Sequence, residues 1–287
     1  MGSRLFVIDN TDTISVESYF ERFALEESVF NDVTAIFKDI VPRLSDSLMN
    51  TLRSIKNINN DDIALNRDFL SREPAIFSKI DKLNYIEIGR TLISVPQGFK
   101  GNFLEYNKTL SSISGSIYSN ATQILQEYHV IISSFITNKE NQTYVKDYSD
   151  LFDRVSGTRE SLTADIAKYF DKGNTASKAY IKDVFNRMED VKELMNVTKG
   201  LFSSHQQANI KSISDSIVTT VGMLNIIIKQ MQSQDITKVS AKAAKNIAAG
   251  AYEIGKYIEL VSLFYQSTNI ALSCTDYLVS VLKKIPA

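Results

Sequence analysis

With 287 residues, 44% of them hydrophobic and 23% charged, the chain is long enough to bury a substantial core and is too apolar for wholesale disorder. Its formal net charge of −1 excludes a global electrostatic pull toward nucleic acid or anionic membrane, and its single cysteine, Cys274, excludes an internal disulfide framework. Only four prolines occur, none between Pro96 and Pro286, which leaves that stretch open to long helices.

In chain order, Arg4 to Ile8 reads as a short strand or extended arm, ended by the turn-forming run Asp9-Asn10-Thr11-Asp12. That apolar run is too short for a secretory leader, so an intracellular or virion-associated location without a signal peptide is expected. Ser15 then caps a helical segment with the stripe Val16, Tyr19, Phe20, Phe23 and Ala24. A longer helix is predicted from about Ser28 to Lys56, kinked but in phase across Pro42. The polar run Asn57 to Asp62 predicts a loop, and Pro74 the first turn of a short helix ending near Lys82. Tyr85–Ile88 and Thr91–Val95 flank Gly89-Arg90 at the spacing of a two-residue β-hairpin, followed by the turn-rich stretch Pro96 to Gly101.

From Asn102 to about Thr137, apolar residues from Phe103 to Phe135 return every three or four positions, the mark of one long amphipathic helix. Asn138 to Asn141 reverses the chain into a helix from Tyr144 to Phe170. Thr175 caps the next helix, with Tyr180, Val184, Met188, Val191 and Met195 inward and Gly200 just past its end. A further helix runs from the capping run at Ser203 to Met231. The last stripe, Ile236 to Ile285, is the longest, either unbroken or interrupted near Gln266 to Asn269, where polar residues cluster. Short connections predict antiparallel neighbours. The expected fold is therefore all-α: an elongated antiparallel bundle of about six to eight helices, several of them roughly 25 to 45 residues long. A minor β-hairpin near residues 85–95 and an extended N-terminal arm complete it. Residues 1–101 form an N-terminal region and residues 102–287 the long-helix bundle, the two sharing one core as a single elongated domain.

Catalytic chemistry is not legible. His129 and His205 fall on different helices without a cysteine or acidic partner at ligand spacing, and no phosphate-cradling glycine loop or nucleophile elbow occurs. Glu26-Glu27 and Asp61-Asp62 read as solvated pairs, and Cys274 as a buried structural thiol. No catalytic residue, metal or cofactor is expected. No apolar run is long enough to span a membrane.

Two groups are candidates for partner contact. Tyr85, Ile86 and Ile88 of the hairpin, with Phe99 beyond it, form the most protruding element. Lys238, Lys242 and Lys245 line one helical face, either as a patch for an acidic partner or as the solvated side of an amphipathic helix. The patch holds no arginine and no interleaved aromatic ring, so specific nucleic-acid binding is not expected. Charge is uneven along the chain, with eleven acids against six bases in residues 1–62 and eight bases against five acids in residues 200–287. Such an asymmetry can orient a head-to-tail assembly.

These features point to a non-enzymatic structural or interaction protein, an all-helical component of a larger assembly whose partners are other protein subunits, identical or different. The texture, rich in Ser, Asn, Ile and Tyr and free of Trp, resembles that of structural proteins of large tailed phages, which implies a virion component. Two other readings stay open. One is a membrane-active helical bundle, similar in outline to α-pore-forming toxins, that inserts Ser216–Ile228 or Leu260–Thr275. The other is a helical regulatory adaptor, or an enzyme with a site assembled from scattered side chains.

Overall fold

The computed structural model describes residues 33–137, 149–169, 176–201, 204–233 and 241–286. The N-terminal arm, the segment after Ser15, the reversal at Asn138 to Asn141 and the Thr175 cap lie outside these residues. The described chain is mostly helical, with one two-stranded antiparallel sheet.

Helix α1 spans Val33–Ile80, 48 residues, and contains both Pro42 and Pro74. It runs straight through residues 57–62, where a loop was expected, and through Pro74, expected to open a separate helix. The reason is phase. Ile55 and Phe69, both fully buried, are fourteen residues apart, and Ile76 and Ile80 continue the same stripe. Asn and Asp cost a helix interior only ~0.5 kcal/mol each relative to Ala, less than apolar burial on either side recovers.

A single helical turn follows, α2 (Tyr85–Ile88), whose N-terminus is capped by the Asn84 side chain accepting from the Ile86 N–H at 3.0 Å. The expected hairpin does not form, because this cap commits its first limb to a helical turn. Its second limb is strand β1 (Leu92–Pro96), which pairs with β2 (Ala176–Tyr180) far along the chain, in register Leu92↔Tyr180 through Pro96↔Ala176. Residues 176–180 are thus strand where a helix after Thr175 was expected; pairing with β1 overrides local helical preference. Ile181 and Lys182 extend the ladder by donating to the carbonyls of Thr91 at 3.0 Å and Gly89 at 3.1 Å. One turn, α5 (Ile181–Val184), and an extended Phe185 (φ −133°, ψ 147°) then separate β2 from helix α6 (Met188–Leu201). In the turn-rich stretch, Gly98 and Gly101 take the left-handed φ values of 72° and 96° that glycine tolerates best.

Between the strands lie α3 (Phe103–Thr137, 35 residues) and α4 (Ser149–Ala167, 19 residues). After α6 come α7 (Ser204–Gln232, 29 residues) and α8 (Ala241–Lys284, 44 residues). Helix α8 is unbroken at residues 266–269. The Ser267 hydroxyl donates to the Leu263 carbonyl at 2.9 Å and that of Thr268 to the Tyr265 carbonyl at 2.8 Å, so these polar groups are satisfied within their own helix.

Helices α1 and α3 each pack against both α7 and α8, while α4 lies on α3 and α8. Tyrosine hydroxyls stitch α3 to α8: Tyr106 donates to Ser267, Tyr257 to Ile117 and Tyr128 to Ile247, all at backbone carbonyls 2.9 to 3.4 Å away. The order of these contacts makes α3 and α8 antiparallel. Helices α1 and α8 instead run the same way, since Arg72 meets Asp276 and Ser280 while Lys79 meets the carbonyls of Lys283 and Ile285. They are distant in sequence, so no short turn dictates their relative direction. Buried side chains from Val41 to Leu282 belong to one core.

Candidate functional site

The ends of α1 and α8 meet, and the small sheet is built beside them. Lys79 closes the junction by donating to the carbonyls of Lys283 (3.0 Å) and Ile285, groups that a helix C-terminus leaves without intrahelical partners. Strand β1 packs on α8 and buries Ile93 and Val95, so alternation turns Leu92 the other way. Leu92 is directly opposite Tyr180 across the ladder, and the two are 46% and 43% exposed. Ile86 on α2 is 78% exposed.

Basic side chains lie beside these apolar residues, interspersed with the exposed acids Asp81, Glu87 and Asp183. Lys182 Nζ lies 5.7 Å from the centre of the Tyr180 ring. Lys178 Nζ donates to the Tyr277 hydroxyl at 2.9 Å and sits 4.1 Å over that ring. Lys82 and Arg90 are exposed on the same connection, with Glu87 and Asp183 as nearby exposed acids. Asp190 anchors the turn into α6. Its carboxylate accepts from the backbone N–H groups of Asn186 (3.0 Å) and Arg187 (3.3 Å) and from Arg187 Nε (3.1 Å). Burial pushes this carboxyl up, but those three donors outweigh it and hold it below the ordinary Asp range.

Of the residues that the sequence singled out, Ile86 alone is strongly exposed at this end. Tyr85 gives its hydroxyl to the Phe185 carbonyl, and Ile88 is buried. Phe99 is half-buried in an aromatic cluster, edge-on to Phe103 and Tyr106 and stacked on Tyr169 at 6.4 Å. The lysine group is not brought to the sheet. Lys238 lies outside the described residues, and the backbones of Lys242 and Lys245 belong to the first turns of α8, whereas Tyr277 beside the sheet belongs to its last turns. Tyr180, expected to face inward from a helix, is instead a half-exposed strand residue, and the same helical reading of residues 176–180 gave Lys178, Lys182 and Leu92 no place in a contact surface. Alternation in β1 was visible, but which face turns outward depends on α8.

Elsewhere among the described residues, Cys274, Tyr106, Tyr128 and His129 are engaged in packing. Cys274 is buried, and burial pushes its thiol up to about 12, so it stays protonated at neutral pH. Burial likewise raises the Tyr106 and Tyr128 phenols. His129 Nε2 lies 2.6 Å from the Thr220 hydroxyl, which in turn donates to the Ser216 carbonyl at 2.9 Å. Among the described residues, no three His, Cys, Asp or Glu side chains gather where they could hold a metal ion, and no helix is long and apolar enough to cross a membrane. Leu260 to Thr275, the apolar stretch of α8, is largely buried, whereas α7 exposes Val218 and Ile226. No protein-family model matches the chain, and neither a curated protein nor a solved structure matches it.

Proposed function

We propose that this is a non-enzymatic structural or interaction protein, an elongated helical bundle that serves as one component of a larger protein assembly. The observation that carries this reading is the exposed apolar set Ile86, Leu92 and Tyr180, gathered at one end beside basic side chains. Burying such side chains against a partner contributes up to ~1.5 to 3 kcal/mol each, before the cost of ordering the two surfaces. The long helices support it from another direction. They bury their apolar stripes against one another, and the Tyr106 and Tyr128 hydroxyls, His129 and Cys274 are engaged in that packing. The virion of a large tailed phage is the setting suggested by the chain's Ser-, Asn-, Ile- and Tyr-rich, Trp-free composition.

Mass photometry and light scattering on the purified full chain test the proposal. Species heavier than the 32.2 kDa chain, growing with concentration, are the expected result. A particle of 32.2 kDa at every concentration overturns it.

A further inference from the structure

We infer that the basic, apolar end of one molecule receives the N-terminal segment, residues 1–32, of a second copy, so that molecules join head to tail; this rests on the assembly reading above. Position comes first. Helix α1 runs the same way as α8 and ends beside the sheet, tied there through Arg72 to Asp276 and Lys79 to Ile285. Its first residue, Val33, is therefore ~70 Å from that end at 1.5 Å per residue. Val33, where residues 1–32 join the helix, is thus at the end opposite the receiving surface.

Chemistry comes second. Residues 1–32 carry seven acidic side chains and two arginines, the whole of the acidic excess of the first 62 residues. The receiving end presents Lys82, Arg90, Lys178 and Lys182 against Glu87 and Asp183, while Asp81 is paired with Lys192. The segment also brings apolar residues, Leu5 to Ile8 and then Val16, Tyr19, Phe20 and Phe23, to match Ile86, Leu92 and Tyr180. A symmetric head-to-head contact would set Arg90 and Lys182 against their own copies, and like charges opposed across an interface are costly. The head-to-tail contact joins two different surfaces. It propagates into rings or filaments and does not close as a dimer.

The test uses two kinds of full-length variant. Ile86→Asp, or Arg90→Glu with Lys182→Glu, disables the receiving end at exposed positions. Glu26→Lys with Glu27→Lys weakens the donated segment. Each alone should reduce self-association at least tenfold, with circular dichroism matching wild type. A mixture of the two kinds should give a dimer and nothing larger, because one intact head then meets one intact tail and both remaining surfaces are dead. Wild-type oligomers should also dissociate between low and high salt. Wild type that assembles while the variants associate equally well, or variants that weaken assembly without giving a dimer on mixing, overturn head-to-tail joining and leave the assembly reading standing. Wild type that stays a monomer overturns both.

Discussion

Asp190, buried, and His129, half-buried, show what single polar groups do in this helical core. The Asp190 carboxylate collects two backbone N–H groups that precede α6, as a capping box does, and adds the Arg187 guanidinium. Asp190→Ala leaves those donors without their acceptor and should cost about 1 to 3 kcal/mol in denaturant unfolding; Asp190→Asn, which keeps an acceptor oxygen, should cost less. Because the native carboxyl is held below its ordinary value of 3.8, its stabilisation is present at neutral pH and lost as pH falls through the native value, below 3.8. His129 behaves differently. Burial lowers its pKa, and the Ser216 carbonyl only partly opposes this, so the native ring binds a proton less readily than the unfolded one. Stability from this residue is complete well above 6.5 and declines as pH falls below that value, where the unfolded chain takes up the proton. His129→Gln should flatten the unfolding free energy between about pH 7 and 5. A variant with the wild-type slope would show that His129 is not the group responsible.

Among the elements, long amphipathic stripes were the most legible part of the sequence. The periodicity running from Phe103 to Phe135 and the one ending near Ile285 correspond to α3 and α8, because a 3.6-residue repeat of apolar side chains specifies a helix with little help from its surroundings. Residues whose state depends on distant partners were misread. Ala176–Tyr180 is a strand only because Leu92–Pro96 lies beside it, whereas Tyr85–Ile88 differs from expectation for a local reason, the Asn84 cap that makes it a helical turn. The candidate surface inherited both errors. It includes Ile86, which the sequence marked, and Leu92 and Tyr180, whose facing is set by tertiary packing. Residues 57–62 supply a direct contrast, since polar composition indicates a loop and α1 runs through them. Asn60→Pro in a loop would be tolerated. Within α1 it removes a helical hydrogen bond and clashes with the preceding turn, so a loss of ~3 kcal/mol or more is expected. Unfolding in urea decides the matter, and a change under ~1 kcal/mol would mean that the helix is interrupted there.

For the whole molecule, length and polarity arise together. Helices of 48 and 44 residues run side by side in the same direction, tied near their C-terminal ends, and each is too long to fit within a compact sphere of this chain length. A compact fold of 287 residues would have a radius of gyration of ~19 Å, whereas α1 alone reaches ~70 Å. Parallel placement also makes the two ends unlike. One end carries the C-termini of both helices with the sheet, and the other carries their N-termini and the chain leading into Val33. An antiparallel pair would have distributed these features evenly and given the molecule no direction. Small-angle X-ray scattering of dilute protein at high salt, where the proposed contact is screened, should therefore give a radius of gyration clearly above ~19 Å and a maximum dimension of at least ~70 Å. Lowering the salt should lengthen the particle while its cross-section stays constant, as expected when ends join to ends. Growth in cross-section would instead mean that copies pack side by side along the helices, with α7 and its exposed Val218 and Ile226 as the surface to mutate next.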